Sequence, residues 1–81
     1  MPTILRVDDL RIAIFTDDHE PAHVHVQHPD GIVVVLLDAR TRRAVLRGRS
    51  RGVSARDTRR IVEIVGEHFE TLFAAWERLH R

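Results

Sequence analysis

The stretch His23-Val24-His25-Val26-Gln27-His28-Pro29-Asp30-Gly31-Ile32-Val33-Val34-Val35-Leu36-Leu37-Asp38 decides the fold. Its first five residues alternate, so on an extended chain His23, His25 and Gln27 share one face while Val24 and Val26 share the other. Pro29-Asp30-Gly31 is a turn with a physical basis: proline presets φ, aspartate tolerates turn geometry and glycine accepts positive φ. Ile32 to Leu37 then runs without a polar residue. Such a run reads as a central strand buried on both faces.

Upstream, Thr3 to Val7 reads as a short strand, Asp8-Asp9 as a turn, and Leu10, Ile12 and Ile14 as the apolar positions of a second strand. Thr16-Asp17-Asp18 ends that strand, and Pro21 keeps the next residues out of a ladder. Downstream, Asp38 to Arg43 is a polar turn, Ala44 to Arg47 a shorter last strand, and residues 48–52 a basic loop. Ser54 is a good N-cap, and Asp57 three residues on completes an imperfect capping box. Ile61, Val65, Phe69, Leu72, Phe73, Trp76 and Leu79 then recur at helical spacing, a stripe read as core packing. The expected architecture is α+β: an antiparallel sheet of four to five strands with one long C-terminal helix packed on one face, all of residues 1–81 in a single domain.

Two features strain that picture. An unbroken helix from Ser54 to about His80 would be roughly 40 Å long at 1.5 Å per residue. A compact domain of this size is only about 30 Å across. The helix must therefore bend near Gly66, whose low helix propensity marks the spot, or pack its end on something else. A single helix also covers only one sheet face. The uncovered face is expected to meet a second copy, as a homodimer, or a small partner protein encoded nearby.

The 81 residues include no cysteine, so disulfides and thiolate metal sites are excluded. So small a core is marginal, which favours a bound metal or a partner as a source of stability. Met1 to Arg6 lacks a basic segment followed by a long apolar one, and the run Ile32–Leu37 is far too short to cross a bilayer, so a cytoplasmic chain without membrane association is expected. All thirteen basic residues are arginine, and they are segregated. Residues 1–39 hold seven acids against Arg6 and Arg11, whereas residues 40–60 hold nine arginines against Asp57 alone.

Four of the six histidines fall within Asp17-Asp18-His19-Glu20-Pro21-Ala22-His23-Val24-His25-Val26-Gln27-His28. His23 and His25 project to one strand face about 7 Å apart. His19, across the proline turn, can converge on the same point. One reading is a divalent transition-metal site for zinc, nickel or iron(II), with His19, His23, His25 and Asp18 as donors. Another is metal-free acid–base catalysis by His19, His23 and His25, the side chains whose ordinary pKa lies nearest neutrality. With arginines stabilising a phosphorane, such a site would cleave RNA through its 2′-hydroxyl. A third is purely structural, each imidazole tying down a local backbone group. His28 and His80 are taken as solvated, and His68 as packing at the rim of the apolar stripe.

Arg40, Arg42, Arg43, Arg47, Arg49 and Arg51 form the candidate surface for nucleic acid or another anion. No aromatic residue is interleaved between Arg40 and Arg60, so base stacking is not offered there. A solvated face, or a surface for an acidic protein, explains the segment equally well. Arg56, Arg59 and Arg60 oppose the helix dipole, which calls for an acidic neighbour from the N-terminal region of this or another copy.

Met1-Pro2-Thr3-Ile4, the box His19-Glu20-Pro21-Ala22-His23-Val24-His25-Val26 and the late Ala75-Trp76-Glu77 together resemble a family of short bacterial proteins known as domain-of-unknown-function family 4160. The resemblance spans nearly the whole chain. Its usual form has a second proline where Ala22 stands and a more aromatic second strand, of which Phe15 is the remnant. It implies a member of compact bacterial gene pairs of toxin–antitoxin type. The two functional expectations are a toxin-like component acting on RNA through a His/Arg site, and a non-catalytic module that binds metal or a protein.

Overall fold

A computed structural model describes residues 3–48 and 51–80. Strands β1 (Thr3–Val7), β2 (Leu10–Ala13), β3 (His23–His28), β4 (Gly31–Asp38) and β5 (Arg43–Leu46) form one sheet in the order β1-β2-β3-β4-β5. Every neighbouring pair is antiparallel, so the sheet is a meander built from sequential connections. Helices α1 (Ala55–Glu67) and α2 (Phe69–Leu79) follow. The fold is α+β, with a radius of gyration of 11.5 Å and extents of 34 × 27 × 20 Å.

The hairpin legible in the sequence sets the register. Val24 lies opposite Val35 and Val26 opposite Val33, and Ile12 joins Val26 from β2. All five are fully buried, together with Leu10 and Ile14, beneath Ile61, Val65, Phe69, Leu72 and Trp76 of the helices. Alternation is what makes this possible, because a one-residue slip would turn His23, His25 and Gln27 into the core.

β4 departs from the sequence expectation. Val33, Val35 and Leu37 are buried, but Ile32 is 55% exposed and Val34 and Leu36 are half-buried. The helices cover one face of the sheet, so the strand is buried on one side only. The single long helix is likewise replaced by two. The break falls at His68, two residues past Gly66, where φ −106° and ψ 20° leave the helical region. The bend keeps both segments on a domain shorter than the straight helix. Among the described residues no helix is long and apolar enough to cross a membrane.

The start of α1 is fastened at several points. Ser54 Oγ accepts from Asp57 N–H at 3.1 Å, as a cap should. The Asp57 carboxylate does not complete the capping box but accepts from His28 Nε2 at 3.0 Å. His28 Nδ1 in turn accepts from Asp30 N–H at 3.0 Å. His28 is therefore not solvated: its side chain, 7% exposed, bolts the β3–β4 turn to the helix N-terminus. The acidic neighbour called for by the α1 arginines is Asp8 of the β1–β2 turn, which pairs with Arg60.

The loop before α1 presses on the same turn. Gly52 has φ +86°, and a Cβ there would lie 2.6 Å from the Asp30 carbonyl oxygen. Gly52→Ala is expected to cost about 2 kcal/mol or more, from the left-handed backbone and the clash together. Urea denaturation checks this, and an unchanged midpoint would show that the loop simply moves away.

Candidate functional site

The box is shaped by local backbone bonds. Asp18 folds back on the end of β2: its N–H donates to the Phe15 carbonyl at 3.2 Å, and its Oδ2 accepts from Phe15 N–H at 3.2 Å. The Glu20–Pro21 peptide is cis. The Ala22 carbonyl then accepts from Leu37 N–H at 2.8 Å, returning the chain to the sheet beside β4. His23 and His25 follow on one face of β3. Their rings lean together edge-on, with centroids 5.1 Å apart.

Three donors converge as a result. Asp18 Oδ2 lies 3.4 Å from His23 Nε2 and 3.3 Å from His25 Nε2, and the three atoms all lie within 4.8 Å of one another. His23 Nδ1 donates to the Pro21 carbonyl at 2.8 Å. That bond fixes the tautomer, so a neutral His23 directs its Nε2 lone pair at the carboxylate, acceptor facing acceptor. His25 Nε2 is buried and has no hydrogen-bond partner. Buried polar atoms are rarely left in that condition without a reason.

A cation removes both problems. Charge-assisted N–H···O bonds are short, about 2.7–2.9 Å. The observed 3.3–3.4 Å separations are longer, and match the roughly 3.3–3.4 Å edge of a tetrahedron whose bonds are about 2.0–2.1 Å. The Nδ1–H to carbonyl bond of His23 is also the outer support that metal-bound imidazoles ordinarily carry. The walls are aromatic: Phe15 meets His25 edge-on at 4.6 Å, and Trp76 lies 5.2 Å from His23.

Of the four metal donors and three catalytic histidines suggested by the sequence, Asp18, His23 and His25 come together. His19 is exposed and stands outside the group. His80 is not solvated as expected: its ring stacks on Trp76 at 3.8 Å and its nitrogens reach the Trp76 and Phe15 carbonyls at 2.8 and 3.1 Å. Trp76 is thus more than the core residue its spacing indicated, since it holds His23 on one side and His80 on the other. A cavity of about 840 Å³ opens beside it, lined among others by Pro21, Leu36, Arg40, Phe73 and Glu77. None of the three converging donors lines that cavity.

The described arginines of residues 40–51 stand outside the group of three donors. Arg40, Arg42, Arg43, Arg47 and Arg51 are exposed, and Arg49 lies outside the described residues. Arg42 is engaged by Glu70 and sits over the Phe69 ring at 5.2 Å. The hydrogen bond from Arg42 holds the Glu70 carboxyl below its ordinary range, and Glu70 raises Arg42 in return. Asp38 is also lowered, chiefly by the backbone N–H of Arg40. Among the described residues no ion pair joins these arginines to Asp18, His23 or His25.

A sequence profile described as Domain of unknown function (DUF4160) matches residues 10–77. The chain belongs to that family. The DUF4160 match begins at the first residue of β2 and ends in α2, so it includes all three converging donors and Trp76. No curated protein and no solved structure matches the chain.

Proposed function

We propose that this DUF4160 protein is a metal-binding module in which Asp18, His23 and His25 are the protein ligands of one divalent transition-metal ion. The observation that carries the reading is the pair of 3.3–3.4 Å contacts from one carboxylate oxygen to two Nε2 atoms, one of them buried and unpartnered. The donor set, two imidazoles and one carboxylate, suits zinc. Three protein ligands leave a fourth position for water or substrate. A zinc ion held there would supply Lewis acidity and lower the pKa of a bound water toward neutrality. The metal-free His/Arg reading draws less support, because among the described residues no ion pair joins the arginines of residues 40–51 to Asp18, His23 or His25, and Arg42 is occupied by Glu70.

Elemental analysis of protein purified without a histidine tag tests the reading. One equivalent of a transition metal per chain is expected, falling to background in His25→Ala. Protein that stays metal-free after incubation with zinc and buffer exchange would remove the proposal.

A further inference from the structure

The uncovered sheet face carries a second unsatisfied feature, apart from the Asp18, His23 and His25 group. Arg6 of β1 lies directly opposite Arg11 of β2, and Arg11 directly opposite Gln27 of β3. Like charges facing each other across a ladder are destabilising. Opposite charges normally relieve such a pair. Yet among the described residues neither arginine takes part in an ion pair, and Arg11 Nε is buried with no hydrogen-bond partner. A recess of about 320 Å³ lies over the row, lined by Arg6, Asp9, Arg11, Gln27, His28 and Pro29. Asp9 is the one carboxylate among them, and it pairs with neither arginine. Two arginines paired across the ladder and lining one recess, an orphaned N–H and a side-chain amide have one common complement, an oxyanion with several acceptor oxygens.

We infer that Arg6, Arg11 and Gln27 form a binding site for a phosphate-type oxyanion on the open face of the sheet. A tetrahedral anion of two charges has oxygens enough for both arginines, and the buried Arg11 Nε reaches it when that side chain turns into the recess. A single carboxylate carries one charge and two oxygens, so it neutralises only half of the facing pair. The site lies one step along the sheet from the candidate metal centre: Arg11 is two residues before Ala13, which pairs with His25. It stands whether or not metal binds there. It also differs from the described arginines of residues 40–51, which are exposed and among which no buried donor is unpaired.

The test is titration of the metal-free chain with inorganic phosphate, followed by phosphorus NMR at fixed ionic strength, with acetate then added as a competitor. Wild-type protein is expected to saturate with phosphate and to bind acetate at least about tenfold more weakly. Arg11→Gln is expected to weaken phosphate at least about tenfold, while Arg40→Gln leaves it unchanged. Asp9→Asn is expected to tighten it. Acetate binding as well as phosphate would overturn the assignment to phosphate, and equal losses in Arg11→Gln and Arg40→Gln would reduce the site to general positive charge. Arg11→Met guards against misfolding. It removes the unpaired Nε and keeps an apolar stem, so its melting temperature in phosphate-free buffer is expected to equal or exceed that of wild type. A clear drop would mean that Arg11 is there for packing and would end the proposal.

Discussion

Zinc is expected to raise the melting temperature of the metal-free protein by at least about 15 °C, and to leave His25→Ala and Asp18→Asn unmoved. A ligand that binds only the folded chain adds about 4 kcal/mol when present at a thousand times its dissociation constant. A domain of this size gains roughly 4–8 °C for each of those kcal/mol. The two variants isolate the centre because neither removes a structural bond of consequence. His25 makes no hydrogen bond through Nε2, and asparagine at position 18 retains an oxygen that can accept from Phe15 N–H. His23→Ala is the poorer probe, since His23 also holds the Pro21 carbonyl and packs on Trp76. Differential scanning calorimetry with and without zinc is the measurement. An equal zinc shift in all three proteins would place the metal somewhere other than between these residues.

The hairpin from His23 to Asp38 was legible because strand register and turn chemistry are local. Val24 and Val26 alternate with the histidines, and Pro29-Asp30-Gly31 leaves little choice of connection. From that alone, His23 and His25 share a face. The gathering of Asp18 with them follows from one further step, the return of its carboxylate to Phe15 N–H, which no spacing rule specifies. The same rule that admitted Asp18 admitted His19, its neighbour, and only the direction of the turn separates them. His28 and His80 were misread for a different reason. The partners that bury them, Asp57 and the Phe15 carbonyl, lie 29 and 65 residues away along the chain. Arg42 is similar, since its partner Glu70 lies 28 residues on. Arg6 and Arg11 stand far from the dense arginines of residues 40–60 in the sequence, and only the strand register and the buried Arg11 Nε mark them as unsatisfied. The size of the domain left open whether one long helix bends near Gly66 or overhangs, and the break at His68 instead of Gly66 shows how weakly one glycine fixes a bend.

Trp76→Ala is expected to destabilise the protein by about 3–5 kcal/mol, enough to leave much of it unfolded at 37 °C. The indole is 3% exposed and is the largest side chain in the core. It fastens the end of α2 to the strand side of the molecule by touching His23 at 5.2 Å and stacking on His80 at 3.8 Å. Removing it opens a cavity that α2 cannot close without losing the reach of His80 to the Phe15 carbonyl, the bond that ties the helix to the end of β2. A domain of 81 residues has little stability to spare. Trp76→Phe separates packing from positioning. It retains most of the buried area, so its stability loss is expected to be the smaller, while His23 loses the surface that fixes its ring. Far-ultraviolet circular dichroism against urea measures both variants without relying on the lost tryptophan. A zinc titration of Trp76→Phe then reads the second effect, with weaker binding expected in a folded protein. If Trp76→Ala unfolds at the wild-type midpoint, α2 is not anchored through this residue, and the wall behind His23 has no part in holding the centre together.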